Sequence, residues 1–594
     1  NFTNLYYIFI SKYITFILTL KSQTREGEQH VVVTTRLGKV RGFESHILGH
    51  RVQSFLGIPF AEPPIGEYRF RPPRVKKPWN NVLDATNLSP ACFQGRDNYN
   101  TSFWGSEMWN ANTEVKEDCL YLNIWKPASH NLKVMVWIFG GGFYSGSPSL
   151  LLYDGKALAV KADAIIVNIN YRLGPFGYLY FDHEEAPGNV GMLDQQLALT
   201  WIRKYVSAFG GDPSQMTLFG ESAGASSIVA HMIAPGSLGL FRNGILQSGS
   251  LDNNWAMISP MEALNRSRAY ARRIKCEKND VTAPAASLID RQWDGLGFLE
   301  FPVAIVSKDR NFFMDRDAFV SLRNGKYAKL LQDSMLNLFL LFKLVINFNY
   351  FQILTKKIFM LTRNFWNIYN LAEYFDTATQ PLIDHQQYLE CTSIAFAKLP
   401  AAFRRGAMWT YNKNCSQICS RSKAYADMVN QMVGDFYFTC DSLWFAEEYR
   451  RIGNGKIFIY YFDQPSSANP WPKWTGVMHG YEIEFVFGVP LFNKTAGYSA
   501  REVHFSEKII EYWKSFAETG VPRLKGTTKR STEQWPEYRE SGKWMYLKGG
   551  SLIHPTESRK KDECTVWRQA KDWQYYEYCQ LCFLLFLKIK SRNY

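Results

Sequence analysis

Cysteine is scarce in this chain, at ten of 594 residues, and its spacing makes no zinc site. Cys415 with Cys419 and Cys579 with Cys582 are isolated couples that lack the second pair a tetrahedral thiolate site needs. No internal repeat is visible, and no linker divides the chain. A clean apolar run of membrane-spanning length is also missing. The richest stretch, 335–361, is broken by Lys343, Asn347 and Asn349. Acidic residues are absent from 1–25, from 334–364 and from the tail after Cys579, and these segments hold ten of the net +14 charges. The remainder is near neutral and has no basic helix or RNA-binding motif, so nucleic acid is not an expected partner.

What is present begins with a core. Aromatic residues make up 16% of the chain, enough to fill a large interior or to line a deep pocket. Segments 134–139, 164–170, 216–219 and 244–247 read as buried strands, and 192–205 has helical spacing. Strands alternating with helices predict an α/β fold, with a mostly parallel sheet covered by helices on both faces. A hairpin is expected over 31–43, turning at Leu37 and Gly38, with a short strand at 55–60 and a proline-rich loop at 61–73. Sequons at Asn1, Asn87, Asn100, Asn265, Asn414 and Asn493, together with spaced cysteines, point to an oxidising, extracellular location.

The stretch that organises the chain is TLFGESAGA at 217–225. An apolar strand runs into G-x-S-x-G and then into a helix of small residues, which is the pattern of a nucleophile elbow. Ser222 sits on the turn, where Gly220 and Gly224 let neighbouring backbone come close. Acyl transfer by a serine also needs a base and an oxyanion hole. Gly140, Gly141 and Gly142 follow a strand and offer N–H groups unobstructed by side chains; Gly141 and Gly142 with Ala223 are the expected oxyanion donors. His479 is the expected base, because it lies late in the chain in a glycine-flanked loop. No cofactor and no metal are expected.

These motifs, with EDCLYLN at 117–123, GGGFYS at 140–145, GNVGMLDQ at 188–195, FGGDP at 209–213, LQSG at 246–249 and HGYEIEF at 479–485, make the chain resemble the cholinesterase branch of the type-B carboxylesterases. The likeness runs over about 31–567, outside the biased stretch. It implies an α/β-hydrolase fold over 29–578 and hydrolysis of a small choline ester, acetylcholine, through an acyl-enzyme. It also implies residue roles. The SEMW segment at 106–109 matches the one whose indole holds the choline cation, so Trp109, with Glu221, Phe365 and Tyr481, is the expected choline site. Trp255, Phe298 and Phe301 would limit the acyl group, and Asp97, Tyr144, Trp293 and Tyr369 match outer-gorge positions. Disulfides Cys92–Cys119 and Cys440–Cys564 are carried over in the same way. The resemblance leaves homo-oligomerisation and membrane or anchor association open.

The chain departs from the family in several places. The family's orienting glutamate precedes an aromatic matching Phe365 by three residues, and Thr362 stands there; no acid occurs between Asp333 and Glu373. Cys276 lacks its expected loop partner, Gly95 replaces a common outer-gorge tyrosine, and the tail lacks the tetramerisation helix, although Cys579 or Cys582 could bond between chains. Residues 1–28 read as a degraded signal-like segment, 335–361 as a spurious insertion and 579–594 as a tail of the same composition, all three consistent with translated non-coding sequence. The missing acid keeps a second reading open, a catalytically silent, neuroligin-like adhesion protein. A general carboxylesterase is a third, disfavoured by Trp109 and the narrow acyl set.

Overall fold

The computed structural model describes residues 29–96, 103–274, 301–323, 337–342, 383–413, 422–452, 455–471, 473, 476–526, 534–549, 554–557, 560 and 562–574. The strands of the central sheet are β1 (Gln29–Thr35), β2 (Gly38–Ile47), β3 (His50–Pro59), β4 (Tyr121–Pro127), β5 (Leu132–Ile138), β6 (Ala164–Ile169), β7 (Gly211–Glu221), β8 (Asn243–Gln247), β9 (Asn337–Phe342), β10 (Ile457–Phe462), β11 (Lys543–Leu547) and β12 (His554–Glu557). They lie in the order β1-β2-β3-β4-β6-β5-β7-β8-β9-β10-β11-β12, and the two-residue strand Leu83–Asp84 also pairs with β2. From β6 to β11 every pairing is parallel. The ladders β1-β2, β2-β3, β3-β4, β4-β6 and β11-β12 are antiparallel, so the parallel sheet has an antiparallel apron.

Every residue of β5, β6, β8 and β10 is buried. Both faces of these strands are covered, so nothing selects for alternation of apolar and polar residues along them. The first hairpin turns between Thr35 and Gly38, close to the expected place. β9 lies in the biased stretch of the sequence. Its backbone pairs Leu338 with Gly244 on one side and with Ile457 on the other, bridging β8 and β10.

Two helices pack on β7, α1 (Val190–Tyr205) and α2 (Ala223–Ile233). All eleven residues of α2 are buried. Among them is His231, whose Nδ1 lies 2.8 Å from Ser237 Oγ and whose Nε2 lies 3.0 Å from Gln195 Oε1 of α1. Burial holds this imidazole neutral by pushing its pKa from 6.5 down to about 3. The sign follows from linkage. The unfolded ring binds its proton first, so the contribution of His231 is full above pH about 6.5 and is lost as pH falls toward 3. We expect the denaturation midpoint to drop over that window, and a His231→Gln variant to flatten the dependence there while lowering stability near neutrality. Urea titrations at several pH values measure both.

A further stretch of helix is α3 (Ser422–Gly434), then a π-helical turn, Asp435–Thr439, then α4 (Cys440–Ile452). Both disulfides carried over from the resemblance are present, Cys92–Cys119 and Cys440–Cys564. The second ties the start of α4 to the helical segment 562–574.

Candidate active site

Ser222 stands between β7 and α2 with φ 58° and ψ −120°, a left-handed conformation that a serine adopts only under constraint. Its N–H donates to Gln247 O of the neighbouring strand at 2.8 Å, and its carbonyl accepts from Ser226 N in α2. The glycines around it are steric requirements. A Cβ on Gly224 would lie 1.9 Å from Ile138 O, and one on Gly220 would lie 2.6 Å from the same oxygen. On the facing loop, a Cβ on Gly140 would meet Glu221 O at 2.5 Å and Ser222 Cβ at 2.8 Å. Gly141 and Gly142 have φ +122° and +60°, so the loop folds over the serine in a conformation closed to most side chains.

His479 and Ser222 line one small cavity of about 60 Å³, in which Trp109, Gly141, Gly142 and Glu221 also stand. Ala223 opens α2, whose first N–H groups have no intrahelical acceptor and face developing negative charge favourably. The His479 side chain has a carboxylate beside it: Nε2 lies 2.9 Å from Glu221 Oε1, and both side chains are largely buried. A second acid, Glu482, lies buried below and accepts from Gln247 Nε2 at 3.2 Å. Gln247 therefore joins the elbow's backbone to a buried carboxylate. Tyr153, which also lines the cavity, is held protonated by burial and then by the negative charge of Glu221.

Trp109 is partly buried and lines the cavity. Its ring packs so close to Gly480 that a Cβ there would reach 2.6 Å from Cη2. The glycine after the histidine thus makes room for the indole. Tyr481 does not line the cavity; it stands edge-on behind Trp109, ring centroids 6.1 Å apart, in a cluster with Met108, Trp471 and Met478. Trp255 and Phe301 form another wall, with centroids 6.0 Å apart, and the indole N–H of Trp255 donates to Tyr437 O at 2.9 Å. Tyr144 faces the same cavity and packs on Phe301 at 5.3 Å. Asp97, Trp293, Phe298, Phe365 and Tyr369 lie outside the described residues, as does Thr362.

Sequence reasoning missed Phe438. Its ring lines the cavity 5.3 Å from the imidazole of His479 and 5.4 Å from Trp255. It comes from the π-helical turn, and a one-residue change of helical period inside an aromatic run leaves no mark that periodicity can read. Leu150 and Tyr153 were missed too; they begin and end the apolar run 150–153, and nothing in such a run marks which members face a cavity.

The arrangement has the parts that an activated-serine site needs. A serine on a strained turn, an imidazole and a glycine loop share an aromatic-walled cavity, with carboxylates buried nearby. Comparison with known proteins agrees with this chemistry. The model of the Carboxylesterase family matches residues 29–567. Acetylcholinesterase 4 of Caenorhabditis briggsae is 48% identical over 587 residues, covering 94% of this chain and 93% of that protein. Cholinesterase of Mus musculus is 36% identical over 553 residues, covering 91% and 87%. With a family match across nearly its whole length, the chain belongs to the carboxylesterase family.

Proposed function

We propose that the protein is a serine esterase that hydrolyses acetylcholine to choline and acetate outside the cell. The observation that carries the reading is the sharing of one cavity by Ser222, His479 and Trp109. Ser222 Oγ attacks the ester carbonyl while His479 takes its proton. Gly141, Gly142 and Ala223 hold the oxyanion, and the proton passes to the departing choline oxygen. Water then cleaves the acetyl-serine by the same route in reverse. A quaternary ammonium donates no hydrogen bond, so the face of Trp109 is its natural partner, with Glu221 adding negative charge and Tyr481 buttressing the indole. Trp255 and Phe301, with Phe298, keep the acyl group small. The 48% identity to a protein named acetylcholinesterase supports the substrate.

Thr362 stands where the family's orienting acid belongs. We read the run after β9, 343–361, as foreign to the mature message, narrower than the expected 335–361 because Asn337–Phe342 pairs with both β8 and β10, so that the acid is lost at a faulty junction; a transcript encoding the run intact would contradict this. As written, the chain still has Glu221 against the imidazole. Loss of the orienting carboxylate costs about 10⁴-fold in turnover in serine proteases and leaves activity above background. Two disulfides suit an oxidising compartment. Assembly through Cys579 or Cys582 and association with an anchor belong to the same proposal.

The test compares acetylthiocholine with phenyl acetate, which has no cation. Trp109→Ala should raise KM for the choline ester about 10- to 30-fold, the value of a desolvated cation–π contact, and leave KM for phenyl acetate within about twofold. Equal loss on both esters would point to a general carboxylesterase. Turnover of neither by the unaltered chain would favour the adhesion reading.

A further inference from the structure

Past the end of β8 the chain presses against the serine turn. Ser248 has φ +59°, and a Cβ on Gly249 would lie 2.3 Å from Ser222 O, so this loop touches the elbow's own backbone. Ser250 extends the contact. Its carbonyl accepts from Ser226 Oγ at 2.9 Å, and Ser226 N donates to Ser222 O at 3.0 Å. All four serines are buried.

Asn253 closes the loop. Its Oδ1 accepts from Ser250 N at 2.8 Å, and its own N–H donates to Ser250 O at 3.3 Å. Its Nδ2 reaches the other way, donating to Phe438 O at 3.4 Å and to Asp441 Oδ2 at 3.0 Å. An oxygen must face the N–H, and a nitrogen must face the carbonyl and the carboxylate, so the amide has one orientation. Phe438 is the residue whose ring stands 5.3 Å from the imidazole of His479. Asp441 is held in turn by Lys571, which also donates to Asp252 O at 3.4 Å, and the adjacent Cys440 is bonded to Cys564. Asn253, Asp441 and Lys571 are all buried. One amide therefore joins the loop against the nucleophile to the turn against the base, and an ion pair holds that amide in place. An apolar side chain of the same size would fill the space. It would also leave the Ser250 N–H without its acceptor and remove both ties across to 438 and 441.

We propose that Asn253 is a positioning residue that sets the spacing of Ser222 and His479, with the Asp441–Lys571 pair as its anchor. The proposal rests on the serine-esterase reading. A misplacement of about 1 Å between reacting groups costs about 100-fold in rate, so slack between loop and turn should be easily read.

The test measures kcat and KM for acetylthiocholine, and the rate of labelling by a fluorophosphonate, with and without His479→Ala. Asn253→Leu should lower kcat and the labelling rate at least about tenfold and leave KM within about twofold, because Trp109 is untouched. Added to His479→Ala, it should change the labelling rate by no more than about twofold, because residues that act as a unit lose their effect together. Asp441→Leu with Lys571→Met exchanges the ion pair for apolar side chains, often neutral for stability, and should lower kcat at least about threefold. This paired variant decides the matter if Asn253→Leu does not fold. A purely structural role would lower labelling by the same factor whether or not His479 is present, and that result overturns the proposal. So does a kcat within about twofold of the unaltered chain in a folded variant. An unaltered chain that neither hydrolyses ester nor takes the label would instead overturn the esterase reading.

Discussion

Alanine at Ser222 should abolish hydrolysis of acetylthiocholine and of phenyl acetate alike: loss of the nucleophile costs about 10⁶-fold in a complete serine-protease triad, and about 10²-fold in a chain that has already lost about 10⁴ with its orienting acid. The physical reason is local. The cavity is lined by one serine, on a strained turn, and by the imidazole of His479, with the Gly140–Gly142 loop at its wall. Removing the hydroxyl deletes the bond-forming atom and leaves the rest of the wall in place. Substrate should still bind, so the alanine variant should retain affinity for a choline-like inhibitor. The variant should also unfold at nearly the same denaturant concentration, since the deleted atom supports no packing and the backbone strain at 222 is unrelieved by alanine. A variant that kept more than a tenth of the activity would show that another residue carries the acyl group.

Alanine at Gly224 should have an equally severe effect by a different route. Its Cβ would sit 1.9 Å from Ile138 O and 2.8 Å from Ile138 C, which is backbone of β5 and has no rotamer to change. Relief requires β5 and α2 to part, and both are wholly buried. We expect a stability loss of about 3 kcal/mol or more, together with loss of activity because the elbow moves away from the Gly140 loop. Denaturant unfolding followed by tryptophan fluorescence measures the first. Alanine at Gly239, which has open space around it but φ +73°, should cost far less and serves as the comparison. Equal effects at the two positions would contradict the packing argument.

Several features of the site could be read before any coordinates because the constraint that creates them acts over a few residues. The elbow is one: the serine needs glycine on either side, and Gly220 and Gly224 meet the same carbonyl of Ile138. The glycine after His479 is another, forced by the ring of Trp109, 371 positions away in sequence but visible as a small residue beside a histidine. The buried strands could be read because their apolar runs are short and bounded by turns. β9 could not, since a short apolar run without alternation, NLFLLF at 337–342, does not stand out from the compositionally biased sequence around it.

What the sequence could not show depends on distance and direction. The contact between Glu221 and His479 joins residues far apart in the chain, and Glu221 reads equally well as a cation-binding group or as a partner of the imidazole. Tyr481 is next to Gly480 in sequence, yet its side chain turns behind Trp109 rather than into the cavity. Phe438 reaches the imidazole only because a π-helical turn shifts the helical phase between α3 and α4. Gln247, which ties Ser222 N to buried Glu482, gives no signal at all within its strand.

The central claim is that Ser222 and His479 act on one another across a shared cavity. Labelling with a fluorophosphonate, followed by peptide mass spectrometry, tests it most directly. The account predicts one label per chain, on Ser222, with the labelling rate lowered at least about 100-fold by His479→Ala, the loss expected when a general base is removed. Labelling at any other residue, or at Ser222 with a rate that His479→Ala leaves unchanged, would contradict it.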